Sequence, residues 1–119
     1  MAGPVGLSRY GGKPMADRIP RAVAERFGEN LRRLRRRECL SQEQLAARAS
    51  LHRTEIGLLE HGERVCRIDT LIQLAGAMAV PPGELLDGID WVPGPKPRGA
   101  FVLGSSSLSQ RRVRDDPRR

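Results

Sequence analysis

The sequence predicts an all-α fold, in which five short helices over residues 21–90 form one compact domain with a short C-terminal extension over residues 91–103. Apolar residues make up 39% of the 119-residue chain but aromatic residues only 3%, so Leu, Ile, Val and Ala must build the core, as in close-packed short helices. Within residues 21–90 these apolar residues recur every three or four positions, the period of a helix face. Residues 1–20 and 104–119 lack any period, and we expect a disordered arm and a disordered basic tail.

The first predicted helix begins near Arg21. One face carries four apolar residues at spacings of four, four and three, namely Val23, Phe27, Leu31 and Leu34. Gly28 lies within this helix and weakens it by ~1 kcal/mol relative to Ala, so we expect its first turns to fray. The arginines between the apolar positions are expected to form a solvated face.

The second and third predicted helices are short. Ser41 begins the second, and Gln44 completes a capping box with it, in which each side chain bonds an amide at the helix start. The third covers residues 51–60, and Gly62 is placed to end it in the left-handed conformation. The expected apolar faces are Leu45, Ala46 and Ala49 for the second helix, and Leu51, Ile56 and Leu59 for the third.

A fourth helix is expected to begin at Asp69 or Thr70, and Pro81 interrupts its pattern. Its expected apolar residues are Ile68, Leu71, Leu74, Ala75 and Met78. Pro82 suits the first turn of a fifth, short helix that continues through Leu86.

The extension after this helix is either a short hairpin or an extended strap. Pro and Gly are concentrated within residues 93–97, and an apolar run follows over residues 99–103. Trp91 and Phe101 are its expected anchors.

The segment from Leu40 to Gly62 has the spacing of a helix-turn-helix. Such a unit needs a short first helix, a tight turn and a second helix that is free to lie in the major groove of DNA. The major groove admits one α-helix, whose N-terminal side chains meet the base edges. The spacing therefore predicts sequence-specific binding of duplex DNA.

This segment resembles the lambda repressor/Cro-like family of helix-turn-helix regulators, also called the XRE family. The resemblance covers about residues 24–88, and its most specific parts are LSQEQLAA at residues 40–47, IGLLE at residues 56–60 with Gly62, and DTL at residues 69–71. It implies a five-helix lambda repressor-like domain and the function of a transcriptional regulator.

The resemblance assigns base contacts to Arg53, Thr54 and Leu58. We call the third predicted helix, which would lie in the major groove, the reading helix. An Arg in its first turn can bond the O6 and N7 atoms of guanine together, and this contact contributes ~1–3 kcal/mol of discrimination between bases. Thr54 offers a hydroxyl and a methyl group, and Leu58 only an apolar contact. Gly57 lies between them and would permit close approach to the sugar-phosphate backbone. Glu55 is expected to point aside or to accept from a cytosine amine.

Phosphate contacts are implied for Gln42 at the start of the second helix and for Arg64 and Arg67 in the following loop. His52 replaces the Ser or Thr that usually caps the reading helix, and could reach a phosphate instead. A further pair, Arg35 with Glu60, is expected to form a structural salt bridge between the first helix and the reading helix.

Three positions depart from the family pattern. Cys39 and Ser50 replace glycines at the end of the first helix and in the turn before the reading helix, and Cys66 replaces a loop proline. The details of these turns therefore stay open. The two cysteines lack metal-ligand spacing, so we expect free thiols, no metal and no cofactor.

Charge is a weaker indicator than spacing. The chain has a formal net charge of +7, yet residues 21–90 hold eleven Arg and eleven Asp or Glu and carry no net charge. The excess lies in residues 1–20 and 91–119, which we interpret as arms that bind phosphates without sequence preference.

We expect a homodimer on duplex DNA, because one helix reads too few bases for specificity. A cytoplasmic protein is expected, since the sequence has neither a membrane-spanning run nor a signal peptide. An enzyme is not expected, because no nucleophile lies beside a base and no glycine loop cradles phosphate. Antitoxins and restriction–modification controllers use the same domain, and a protein-interaction module that no longer binds DNA is the alternative from another class. Any effector would act through an unidentified protein partner or through abundance.

Overall fold

The computed structural model of the chain describes residues 20–95 and 99–104. Its elements are α1 (Arg21–Arg37), α2 (Gln42–Ala49), α3 (Arg53–Glu60), α4 (Ile68–Met78), a 3-10 helix (Pro82–Leu86), β1 (Ile89–Pro93) and β2 (Gly99–Leu103). The prediction of a mainly helical domain is confirmed. The predicted fifth α-helix is instead a single 3-10 segment, and the extension forms a two-stranded antiparallel sheet. The arm and tail predicted for residues 1–20 and 104–119 lie almost wholly outside the described residues.

The local signals explain where the helices begin and end. The Ser41 hydroxyl accepts from the Gln44 amide at 3.0 Å, and the Gln44 side chain accepts from the Ser41 amide at 2.8 Å, so the predicted capping box is confirmed. Gly62 is left-handed, with φ of 71°. The left-handed conformation also occurs at Cys39, with φ of 59°, and at Ser50, with φ of 60°. The turns on both sides of α2 thus keep a geometry that favours glycine, although neither residue is glycine.

The core lies between the four helices and is made of aliphatic side chains together with the aromatic Phe27. Its fully buried members include Leu31, Leu34, Leu45, Ile56, Leu59, Leu74, Met78 and Leu85. One predicted core residue is wrong, because Ile68 is 75% exposed. Since Leu74, Ala75 and Met78 define the inward stripe of α4, Ile68 and Ile72 fall one turn apart on another side of that helix.

Gly28 marks the point where α1 and α3 approach most closely. A Cβ added at Gly28 would lie 2.5 Å from the Glu60 carbonyl oxygen and would also meet that of Leu59. Any side chain here would push the two helices apart, so the glycine is a packing requirement. The expected fraying is not seen, since α1 is helical from Arg21 onwards.

A buried amide joins α1 to the end of the 3-10 helix. The Asn30 side chain is 1% exposed, and its Nδ2 donates to the carbonyl oxygens of Leu85 and Asp87, each at 3.0 Å. The Arg33 guanidinium lies 3.8 Å from the buried Asp87 carboxylate. These contacts fix the point at which the hairpin leaves the helical domain.

The hairpin confirms one of the two alternatives for the extension. Its register pairs Ile89 with Leu103 and Trp91 with Phe101, and the two aromatic rings meet edge to face with centroids 5.1 Å apart. Trp91 remains 55% exposed and Phe101 42% exposed, so the rings pack on each other and do not enter the core.

Candidate nucleic-acid interface

One side of α3 packs into the domain and the other faces solvent. Ile56 and Leu59 are fully buried, and both α1 and α2 pack against α3. Arg53 and Thr54 occupy the first turn of α3 and are exposed, and Leu58 follows one turn later, half-buried. We call Arg53, Thr54, Gly57 and Leu58 the reading face. No atom of another residue lies within 4 Å of the position that a Cβ at Gly57 would occupy, so the reading face is unobstructed there.

A shallow groove of about 250 Å³ runs along the reading face. It brings together four residues predicted to contact DNA, namely Gln42, Arg53, Thr54 and Leu58. His61 and Glu63 also line it, and sequence reasoning missed both. The signal that could have found His61 is helical spacing, because a residue four positions after Gly57 lies on the same face. Glu63 lies beyond the helix, and no pattern indicated it.

A buried network holds the reading helix on its α1 side. The Arg35 Nε donates to the Glu60 Oε2 at 2.5 Å, and a terminal nitrogen of the same guanidinium donates to Oε1 at 3.1 Å. The Gln42 amide nitrogen also donates to Glu60 Oε1, at 3.0 Å. Since Arg35 and Glu60 are only 9% and 8% exposed, this pairing tethers α3 to α1 and to the start of α2.

Gln42 is therefore bonded within the domain and still lines the surface groove. Its amide nitrogen carries two N–H groups, of which Glu60 takes one. The second N–H has no acceptor among residues 20–95 and 99–104. Glu60 in this way orients a side chain that sequence reasoning placed on DNA directly.

Two surface ion pairs involve the loop that follows α3, on the side away from the reading face. Arg64 donates to the Glu55 carboxylate at 2.6 Å, and Arg67 makes two bonds of 3.1 Å to the Asp69 carboxylate. The two loop arginines predicted to bind phosphate are thus directed at carboxylates, and Glu55 points aside, away from the reading face. His52 is the N-cap residue of α3 and is exposed, with no side-chain bond to the helix amides.

The two cysteines lie in different environments, and both are free thiols. Burial, reinforced by the nearby charges of Glu55 and Asp69, raises the pKa of the Cys66 thiol to about 12, which keeps it protonated. Cys39 is exposed and free. Within residues 20–95 and 99–104, no cluster of three or more His, Cys, Asp or Glu could hold a metal ion. None of the helices described is long and apolar enough to cross a membrane.

A short helix with an open N-terminal turn, held across a tight turn by a second short helix, defines the class of helix-turn-helix DNA-binding proteins. Residues 26–87 match the family described as "Helix-turn-helix domain". This match covers just over half of the chain, and the chain belongs to that family.

Relatives and solved structures agree with this assignment. The chain is 44% identical over 73 residues to the control protein C.SmaI of Serratia marcescens, covering 61% of this chain and 87% of that protein. It is 39% identical over 62 residues to the control protein C.BamHI of Bacillus amyloliquefaciens, covering 51% and 76%. The fold is similar to that of the restriction-modification controller protein C.AhdI from Aeromonas hydrophila, with 39% identity, a TM-score of 0.53 and coverage of 54% of this chain and 97% of that chain.

These comparisons confirm the resemblance to lambda repressor/Cro-like regulators. The chain is a helix-turn-helix DNA-binding regulator.

Proposed function

We propose that α3 lies in the major groove and reads base edges through Arg53 and Thr54, with an apolar contribution from Leu58. The observation that carries this proposal is the state of Arg53. It stands in the first turn of α3, is exposed, and has no hydrogen bond or ion pair within the described part of the chain. A guanidinium without such a partner, at the N-terminal turn of a surface helix, suits bidentate recognition of guanine.

Phosphate contacts around this helix complete the proposed interface. Gln42 supplies its second amide N–H on one side, and His52 lies at the start of α3. Arg64 and Arg67 lie on the other side, where both arginines are exposed and phosphates can compete with their carboxylate partners, of which Asp69 is exposed and Glu55 half-buried.

The same proposal includes a homodimer. Three large apolar side chains of α4 and the 3-10 helix are exposed: Ile68 by 75%, Ile72 by 56% and Leu86 by 43%. Ile68 and Leu86 also line an apolar groove between α1 and α4. Covering such a surface with the same surface of a second copy would place two reading helices on a two-fold symmetric site. Trp91 of the hairpin offers further apolar surface for this contact.

The dimer is tested with Ile68→Asp and with Ala79→Asp, a control at the exposed C-cap position that follows α4. Sedimentation should give a monomer for Ile68→Asp at concentrations where the parent and the control are dimers. A dimer that persists unchanged in Ile68→Asp would place the interface elsewhere.

Regulation of a restriction–modification operon is the biological role that we propose. Three relatives are control or controller proteins, and the similarity spans 87% of C.SmaI and 97% of the C.AhdI chain. The protein would then act in the cytoplasm on duplex DNA. The role predicts that the binding site recurs upstream of a methyltransferase or endonuclease gene. Absence of such genes from the neighbourhood would argue against it.

Selection of bound duplexes from a random library tests the binding proposal. The expected product is a palindrome whose half-sites lie about one helical turn apart, roughly 10–10.5 base pairs. A library that shows no enrichment would contradict sequence-specific binding and favour a protein-interaction module.

A further inference from the structure

The arginines of α1 differ sharply in their partners. Arg33 is paired with Asp87, Arg35 with Glu60, and Arg37 with Glu84 and Glu38. Arg32 and Arg36 are exposed, and neither has a hydrogen bond or an ion pair to any residue in 20–95 or 99–104. Two like charges four residues apart repel each other along a helix, so this pair costs stability in the free domain.

The position of the two arginines follows from helix geometry. One row of residues on α1 consists of Gly28, Arg32 and Arg36, which are spaced four residues apart. Each step of four residues rotates the row by about 40° around the helix axis. Gly28 lies against the carbonyl oxygens at the C-terminal end of α3, and Arg35 bonds Glu60 at the same end. The row therefore leaves the α1–α3 contact and rises to the surface beside the end of the reading helix.

The surroundings of this row favour an anionic partner. The domain as a whole carries no net charge, so charges without partners determine where it attracts phosphate. On the far side of α3 both loop arginines already have carboxylate partners. On the α1 side, the buried Arg35 is neutralised and Arg32 and Arg36 are not. Guanidinium groups suit phosphate because their planar fork can bond two oxygens.

We propose that Arg32 and Arg36 bind phosphates of the DNA strand that flanks the major groove on the α1 side of the reading helix. This inference rests on the proposed DNA binding and adds a second line of backbone contacts to it. These backbone contacts set the affinity and the register of the domain on DNA, without any preference between bases.

The test uses the full chain with Arg32→Gln and Arg36→Gln combined, and Arg33→Gln combined with Arg37→Gln as the matched control. Both variants lose two positive charges from the same helix. Binding to the selected duplex and to a scrambled duplex is measured by fluorescence anisotropy across a range of salt concentrations. The slope of log K against log salt should fall by about 1.8 for the first variant, because each lost phosphate contact removes about 0.9. The ratio of specific to non-specific affinity should not change.

The control should retain the parent slope. Because Arg33→Gln leaves the buried Asp87 without its partner, the single variants Arg36→Gln and Arg37→Gln provide a second comparison that avoids this loss. An unchanged slope in the Arg32 and Arg36 variant, or an equal fall in the control, would overturn the inference. A parent chain that binds both duplexes equally would overturn only the proposed base reading, and one that binds no DNA would overturn both.

Discussion

The two sides of the reading helix carry ion pairs of the same chemistry in opposite environments. On the α1 side, the side chains of Arg35 and Glu60 are 11% and 3% exposed. On the loop side, those of Arg64 and Glu55 are 50% and 25% exposed. A buried pair cannot exchange its partner without a large penalty, whereas an exposed pair can. The α1 side therefore fixes α3 in place, and the loop side keeps the arginines that, in the proposed interface, transfer from carboxylate to phosphate.

The largest expected effect comes from breaking the buried pair. Glu60→Ala leaves the Arg35 charge buried without a partner, so the free energy of unfolding should fall by about 3–5 kcal/mol. Urea unfolding followed by circular dichroism measures this. A loss below about 1 kcal/mol would show that Arg35 escapes to solvent and that the network does not hold α3.

A double variant separates charge burial from packing. Arg35→Met with Glu60→Leu removes both charges and keeps apolar volume, so its stability should return to within about 1 kcal/mol of the parent. If it stays as unstable as Glu60→Ala, the geometry of the salt bridge and not charge balance stabilises the domain.

A smaller effect is expected at the link between this network and the surface. Gln42→Ala removes one hydrogen bond to Glu60 and the proposed phosphate donor. Because one hydrogen bond contributes ~0.5–1.5 kcal/mol, affinity for the selected duplex should fall by about two- to tenfold. Because Gln42 is uncharged, the salt dependence should stay as in the parent. Glu43→Ala, at the next and exposed position of α2, is the control. Equal changes in the two variants would remove Gln42 from the interface.

On the loop side, Glu55→Gln should barely change stability, by less than about 1 kcal/mol, because its pair with Arg64 is partly exposed. DNA affinity should rise up to about fivefold at low salt, since Arg64 loses its carboxylate competitor, and the gain should shrink at high salt. Glu38→Gln, which removes the same charge from the exposed pair of Glu38 with Arg37, is the control variant. If Glu55→Gln weakens binding, Glu55 instead positions Arg64 for DNA.

The smallest effect concerns the turn that joins α2 to α3. Ser50 has φ of 60°, so Ser50→Gly should relieve backbone strain and stabilise the domain by about 0.5–1 kcal/mol. The matched change Ala47→Gly, within α2, should destabilise it by about 1 kcal/mol. Thermal unfolding distinguishes the two signs, and destabilisation by both variants would mean that the Ser50 side chain has a role of its own.

Sequence reasoning succeeded where a pattern maps onto one local contact. The capping box at Ser41 and Gln44 requires only neighbouring residues, and the aliphatic spacing of α1 defines its buried face. The pairing of Arg35 with Glu60 spans 25 residues, and only the resemblance to a known family indicated it.

What sequence reasoning missed depends on how elements pack together. The sequence of α1 alone predicts that Gly28 weakens the helix, because it does not reveal the approach of the Glu60 carbonyl. No local pattern indicates the role of Asn30, since its two acceptors lie 55 and 57 residues away. Ile68 matched the helical period but lies off the inward stripe, because the direction of the core is a tertiary property.

Base reading by the first turn of α3 is tested most directly by parallel selections with the parent chain and Arg53→Ala. The parent should enrich a two-fold site, and the variant should enrich the same site with the preference lost at one base pair in each half. At that base pair the discrimination lost should be about 1–3 kcal/mol. An Arg53→Ala selection identical to that of the parent at every position would contradict the assignment of Arg53 and with it the orientation of α3 on DNA.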